Sequence, residues 1–374
     1  MKLEGITIID LSLFLPGPHL TMMMADHGAT VIKVEPPGEG EPVRHVGQRA
    51  GGQSVWFRNT NRGKRSVVLN LKDPADREAL LALADTADVF VEAFRPGVVK
   101  RLGVDYDTVA ARNPGIVYCS IAAFGQTGPD VMKPAHNLVV EALSGTVSLN
   151  LGNDGKPTHP HMPVADATAS LMALSGILMA LLRRSTTGRG DYVDISMHDT
   201  TMAWLPNVAG SVFAEDRAPT VKDERSFGGA AFARIYETKD GKFVVLGGTE
   251  RKFVVNLLSA LGREDLVPAA TTPPGPTQDP VKAFLAETFA MRTRDEWEAW
   301  FEGRDVCFAP VLDLREAFHR PQVAAREMLV RDAAGNLHIG IPIKFREEPG
   351  RLDPHAPELG EHDEEILGPV RRSG

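Results

Sequence analysis

The chain opens on a short apolar run, Ile6 to Leu11, broken by Pro16-Gly17-Pro18, then an apolar stretch from Leu20 to Asp26, Gly28, and a second run from Thr30 to Val34 that ends at Glu35. That order is strand, turn, helix, strand, the repeating unit of a parallel sheet. Val67 to Leu71 predicts a third strand, and Asp73-Pro74 opens a helix through Leu83, with proline where the first turn needs no donor. Ala87 to Glu92 and Gly115 to Ile121 predict two more strands, separated by a helical Val98 to Arg112. This alternation predicts a doubly wound α/β domain over the N-terminal third of the chain.

After Gly125-Gln126-Thr127-Gly128-Pro129 the period lengthens. Asn137 to Leu149 and Asp166 to Arg184 predict long helices, the second closing on basic residues and Gly188. Its apolar centre, Leu171 to Leu182, is interrupted by Ser175 and Gly176 and reads as a buried helix; Asp194 to Ala203 continues the apolar pattern. A second region begins near Phe227, where Ala231 to Glu237 and Lys242 to Gly247 flank the hairpin signal Thr238-Lys239-Asp240-Gly241. Helices follow at Arg251 to Leu261, Pro280 to Met291 and Arg294 to Glu302, with Thr271 to Pro280 as proline-rich surface loop. The charged, proline-containing tail after Glu347 reads as a lightly anchored segment.

A length of 374 residues suits two domains, or one with a large insertion. Acidic residues outnumber basic ones 49 to 41, for a net charge of -8, which argues against nucleic acid or an anionic membrane as a partner. An anionic ligand must then meet a local basic cluster. Lys33, Arg62, Lys64, Arg65, Lys72, Arg95, Lys100 and Arg101 fall near the predicted strand ends, where open sheets bind ligands, and suit a phosphate-bearing one. Cys119 and Cys307 are too few for a disulfide framework or a thiolate metal cage, so a reducing cytoplasm is expected. No apolar leader and no run approaching 18 apolar residues is present, so neither export nor a membrane span is expected. The first turn, Leu15-Pro16-Gly17-Pro18-His19-Leu20, lacks the glycine fingerprint for dinucleotides, and no P-loop occurs, so the sheet alone assigns neither NAD nor ATP.

Three ionisable residues stand near the change of architecture. His136 and Glu250 each precede a predicted helix, and Asp166 opens one as an N-cap or first-turn carboxylate. By position alone each reads as structural. The longer motifs change the weighing. Leu3-Glu4-Gly5 with Asp10-Leu11 and Pro16-Gly17-Pro18, Gly28-Ala29-Thr30-Val31-Ile32-Lys33-Val34-Glu35-Pro36, Asn61-Arg62-Gly63-Lys64-Arg65-Ser66-Val67, and Leu69-Asn70-Leu71-Lys72 are followed by Phe94-Arg95-Pro96-Gly97 and Phe124-Gly125-Gln126-Thr127-Gly128-Pro129. Pro163-Val164-Ala165-Asp166, Thr187-Gly188-Arg189-Gly190 and Ala309-Pro310-Val311 complete a series that closely resembles the class III CoA-transferase superfamily, the CaiB/BaiF type, across most of the chain.

The resemblance implies a Rossmann-like doubly wound large domain built from both chain ends, a smaller α+β domain, and an interlocked homodimer. The corresponding boundaries are 1–200 for the first part of the large domain, 201–225 as linker, 226–320 for the small domain and 321–374 as the return segment. In transferases of this type the aspartate matching Asp166 attacks the thioester and carries the acyl group as a mixed anhydride. In the α-methylacyl-CoA racemases it moves a proton at the carbon beside the thioester, opposite a histidine assisted by a glutamate. His136 and Glu250 stand where racemases carry those two residues, and Phe227-Gly228-Gly229-Ala230-Ala231-Phe232 resembles the racemase version of a loop that is glycine-rich in some transferases. The expectation is therefore an acyl-CoA racemase that inverts that carbon by two-base proton transfer between His136, held by Glu250, and Asp166, with a backbone N–H at the start of the Asp166 helix for the enolate oxygen.

Asn137, where racemases usually have aspartate, and Val139-Val140-Glu141, in place of an aromatic-containing stretch, depart from that pattern and keep the alternative open, an acyl-CoA:carboxylate CoA-transferase with Asp166 as nucleophile. Phe14-Leu15-Pro16 lacks the glutamine of formyl-CoA transferases. A chain that only binds acyl-CoA is the non-catalytic competitor. CoA is expected as part of the substrate, with adenine near Lys33, Val34, Leu69 and Lys72, phosphates at Arg62, Lys72, Arg95 and Arg101, and Lys133 approaching from the catalytic side. No tightly bound cofactor and no metal is expected.

Overall fold

The computed structural model describes residues 1–152, 154–224 and 227–373. Its contacts divide the chain into two units. The first comprises Met1–Val147, His159–Trp204 and the C-terminal stretch from Arg320; the second comprises Ser148–Thr158 and Leu205–His319.

The first unit is built on six strands: β1 (Thr7–Asp10), β2 (Thr30–Glu35), β3 (Arg65–Val68), β4 (Val89–Glu92), β5 (Val117–Ala122) and β6 (Asp191–Ser196). They pair in the order β3-β2-β1-β4-β5-β6, and every pairing is parallel. This is the 3-2-1-4-5-6 doubly wound order, in which winding reverses between β1 and β4. Both faces are buried, which is why the strands read as continuous apolar runs. On one face Ile8, Val31, Val89, Val91 and Val117 pack against Leu20 and Met24 of α1 (Pro16–Asp26) and against Ala165, Ala169, Ala173 and Ile177. The last four form one stripe of α5 (Val164–Thr187), introduced here with α2 (Pro74–Ala84), α3 (Tyr106–Arg112) and α4 (Asn137–Leu143). On the other face Ile9, Ile32, Val34, Val67, Phe90 and Tyr118 pack against Leu80, Leu81 and Ala84 of α2 and against Leu367. Each fully buried aliphatic side chain contributes about 1.5–3 kcal/mol.

Several expectations are corrected. Val98 to Arg112 is two short helices broken at Gly103, whose φ is 71°, and Asn137 to Leu149 breaks after Leu143 at Gly145, whose φ is 85°. The apolar centre of α5 is half-buried, since Leu171, Leu178, Met179 and Leu182 are exposed. The tail is firmly anchored: a helix over Asp363–Ser373 packs on α2 and β3, Leu367 is fully buried, and Asp363 Oδ1 accepts the Val68 N–H at 2.8 Å. Two glycines of the sequence motifs are required by close approach. A side chain at Gly17 would overlap Ser12, and one at Gly190 would overlap the Ile116 carbonyl.

The second unit holds an antiparallel three-stranded sheet, β7 (Ala233–Glu237), β8 (Phe243–Gly247) and β9 (Phe308–Pro310), with β8 central. Helices α7 (Arg251–Ala260), α8 (Asp279–Phe289) and α9 (Arg294–Phe301) cover it through Leu257, Leu258, Leu285, Phe289 and Trp297. The segment 201–225 contains α6 (Gly210–Glu215).

Candidate active site

At the reversal between β1 and β4 the loops that leave the two strands part in opposite directions and open a crevice at their carboxyl ends. The loop after β1 supplies Leu13 and Phe14 there, the loop after β4 supplies Phe94 and Arg95, and β5 ends at Ile121 and Ala122. Lys133, His136 and Asp166 complete the same cleft, whose volume is about 180 Å³. Two of the three expected catalytic residues thus line one cavity of the first unit. Glu250 belongs to the second unit, at the N-cap position of α7, exposed and without a capping hydrogen bond.

Asp166 sits in the first turn of α5. Pro163, at the N-cap position, has no side-chain acceptor to offer, and the first amides are satisfied from α4 instead. Glu141 Oε1 accepts the Val164 N–H at 2.8 Å and the Ala165 N–H at 3.5 Å, while Asn137 Oδ1 accepts the Asp166 N–H at 3.2 Å. Asn137 Nδ2 in turn donates to Glu141 Oε1 at 2.7 Å. A buried carboxylate at a helix N-terminus is stabilised by the macrodipole, so Glu141 caps α5 from outside. The first amides of α5 are therefore occupied, and the expected backbone donor for an enolate oxygen is not free there. Asp166 itself does no capping. Its carboxylate accepts no hydrogen bond from a described side chain or amide, and burial, followed by the charge of Glu141, pushes its pKa up to about 6. Asn137 and Glu141 are neighbours of Asp166 that sequence reasoning registered only as departures. The legible signal was a pair of acceptors four residues apart, one helical turn, ahead of a helix that begins after proline.

His136 occupies the N-cap position of α4 but gives no side-chain cap. Its exposed ring makes a T-shaped contact with Phe14, centroids 5.9 Å apart at 80°.

Four of the eight residues expected around CoA lie inside the protein. Arg62 is 1% exposed, and its guanidinium holds Asp26 through Nη2 at 2.7 Å and Nε at 3.2 Å and donates Nη1 to the Ile339 carbonyl at 2.7 Å. A phosphate would have to displace Asp26, so Arg62 is removed from the phosphate contacts. Lys33 is fully buried against Glu41, Nζ to Oε2 2.5 Å, and does not present its ammonium to solvent. Val34 and Leu69 are buried in the sheet core. Lys72, Arg95, Arg101 and Lys133 are exposed cations. Of these, Arg95 and Lys133 line the cleft, and Lys133 lies 3.9 Å from Asp130.

Residues 3–363 match the CoA-transferase family III model, and the chain belongs to that family. It is 36% identical over 370 residues to the acetyl-CoA:oxalate CoA-transferase of Acetobacter aceti, covering 96% of this chain and 93% of that one. It is 33% identical over 384 residues to the alpha-methylacyl-CoA racemase of Homo sapiens, covering 98% and 93%. The crystal structure of a CaiB/BaiF family protein from Brucella suis matches the fold with a TM-score of 0.86 at 28% identity, covering 98% of this chain and 99% of that one. Both chemistries are represented among its relatives, the transferase at the higher identity.

Proposed function

We propose that this chain is an acyl-CoA:carboxylate CoA-transferase with Asp166 as the nucleophile. The observation that carries the reading is the Asp166 carboxylate itself, in the cleft and without a hydrogen-bond donor. With a pKa of about 6 it is about nine-tenths ionised at pH 7. Partial desolvation of an ionised carboxylate leaves its lone pairs available for attack. Its oxygen adds to the thioester carbonyl, the C–S bond breaks, and CoA leaves as thiolate from a mixed anhydride. The thiolate then attacks the Asp166 carbonyl, releasing the first acid and leaving an aspartyl thioester. The acceptor carboxylate repeats both steps in reverse order and departs as the new acyl-CoA. No net proton is consumed, so the reaction asks for one carboxylate and a dry cleft, with no acid–base pair. The exposed cations Lys72, Arg95, Arg101 and Lys133 are proposed to meet the CoA phosphates. The relatedness to the oxalate transferase supports the same reading.

A second reading, α-carbon racemisation, is favoured by His136 lining the cleft with Asp166. One experiment separates them: incubation with an acyl-CoA in deuterated water, with and without a free carboxylic acid. The transferase reading expects CoA to move only when acceptor is present, and Asp166→Asn to abolish the movement. Deuterium entering the carbon beside the thioester without acceptor, lost in His136→Ala, would overturn it in favour of the racemase.

A further inference from the structure

Phe14 has a φ of 64°, in the left-handed region, where a bulky side chain is strained and persists only when its surroundings over-determine it. The surroundings here are buried charge. Glu41 Oε1 accepts the Phe14 N–H at 2.7 Å, and Glu41 Oε2 is 2.5 Å from Lys33 Nζ. Lys33 Nζ donates to the Ser12 carbonyl at 2.9 Å, and the Ser12 N–H donates to Asp10 Oδ1 at 2.9 Å. Asp10, Ser12, Lys33 and Glu41 are all fully buried. The backbone on both sides of Leu13 is thus tied down from beneath, and the Phe14 ring is set at the cleft in a T-shaped contact with His136.

We propose that Phe14 is the wall that sets the size of the acyl group admitted beside Asp166, and that Glu41 is the positioning residue that holds the wall in place. This rests on the acyl-CoA reading above. If Phe14 relaxed to negative φ, its N–H would leave Glu41 and a buried carboxylate oxygen would lose its donor, so the backbone does not carry the ring away from the cleft for a bulky substrate. A small acyl group fits beside a fixed ring; a long or α-branched one collides with it. A fixed apolar wall discriminates a single methylene by roughly tenfold or more.

The test measures dissociation constants by calorimetry for acetyl-, isobutyryl- and 2-methyldecanoyl-CoA, with free CoA as reference, on the full-length wild type and on variants. Binding is read instead of turnover, so the outcome does not depend on which chemistry follows. Phe14→Gly accepts the left-handed backbone without strain and removes the ring. It is expected to melt no lower than wild type and to raise affinity for the bulky acyl-CoA relative to acetyl-CoA by about tenfold or more. Glu41→Ala is expected to shift the same ratio in the same direction, and to shift it no further in a Phe14→Gly background. Glu41→Gln keeps an acceptor for the Phe14 N–H and is expected to shift the ratio less. Should Glu41→Ala not fold, the Glu41→Gln shift and its absence in the Phe14→Gly background decide the positioning role. A folded Phe14→Gly protein with wild-type ratios overturns the wall. Equal shifts by the Glu41 variant with and without Phe14 overturn the positioning role. A wild type that binds free CoA and all three acyl-CoAs equally also overturns the wall while leaving the acyl-CoA reading intact, whereas one that binds none of them overturns both.

Discussion

Asp166 is set apart by what does not touch it. The amides that would normally favour a carboxylate in a first helical turn are taken by Glu141 and Asn137, and the second carboxylate adds its repulsion to burial. The same arrangement has a stability consequence whose sign follows from proton linkage. A carboxyl whose pKa is raised from 3.8 to about 6 on folding binds more protons in the native state between those values. The folded protein is therefore unpenalised below about pH 4, loses stability as pH rises through the window, and carries the full penalty above about pH 6. At about 1.4 kcal/mol per unit, and with part of the carboxyl reached by solvent, the penalty is about 1–3 kcal/mol. Asp166→Asn removes the charge without removing a hydrogen bond. Urea unfolding near pH 7 should show it more stable than wild type by that amount, and near pH 4 the two should coincide. A difference that does not vary with pH would mean that Asp166 is not held in its charged form against burial.

Among the elements, the helix over Asp363–Ser373 connects the end of the chain to its beginning. Leu367 is fully buried in the cluster that includes Val67, Leu69 and Leu80, so Leu367→Ala should lower unfolding free energy by about 2–5 kcal/mol with little change in the urea m-value. A loss below about 0.5 kcal/mol, the size of an ordinary surface substitution, would mean that the tail is only loosely held. This helix escaped the sequence reading because its charged first turn and Pro369 hide a short apolar face, Leu367 flanked by Ile366 and Val370. Strands β1, β2, β4 and β5 were legible because burial on both faces makes them continuously apolar. β6 was not, since Asp191 and Asp194 interrupt an edge strand whose first half is partly exposed. His136 and Asp166 were picked out by their motifs, and the fold brings both to one cleft. Phe14 and Glu41 were not, because only the fold brings them into contact, and the spacing of Asn137 and Glu141 signals a pair of acceptors without saying which helix they cap. Arg62 and Lys33 were misplaced for the complementary reason: counting cations near strand ends does not see the buried carboxylates, Asp26 and Glu41, that already hold them.

For the molecule as a whole, one surface is left unexplained by a single chain. By length and composition α5 is apolar enough to cross a membrane, yet its stripe of Ala165, Ala169, Ala173 and Ile177 lies on the sheet. The opposite stripe of Leu171, Leu178, Met179 and Leu182 follows helical spacing, and Met179 and Leu182 are 63% and 74% exposed. Scattered apolar residues on a surface are ordinary, but four large ones on one face over about 17 Å of a helix, broken only by Ser175, are a patch that asks for a cover. We propose that a second copy of the chain covers it, in the interlocked arrangement the family resemblance implies. Chains threaded through one another cannot separate without partial unfolding, so dissociation is governed by an unfolding barrier and not by mass action alone. Sedimentation should therefore give a dimer that persists on dilution, and subunits carrying different labels should fail to exchange until a denaturant is added. Leu178→Glu with Leu182→Glu, which places charge on the stripe without touching the buried one, should yield monomer or aggregate in place of dimer. A wild type that sediments as a monomer would exclude the second copy, and a dimer whose labelled subunits exchange freely in buffer would keep the partner but rule out interlocking.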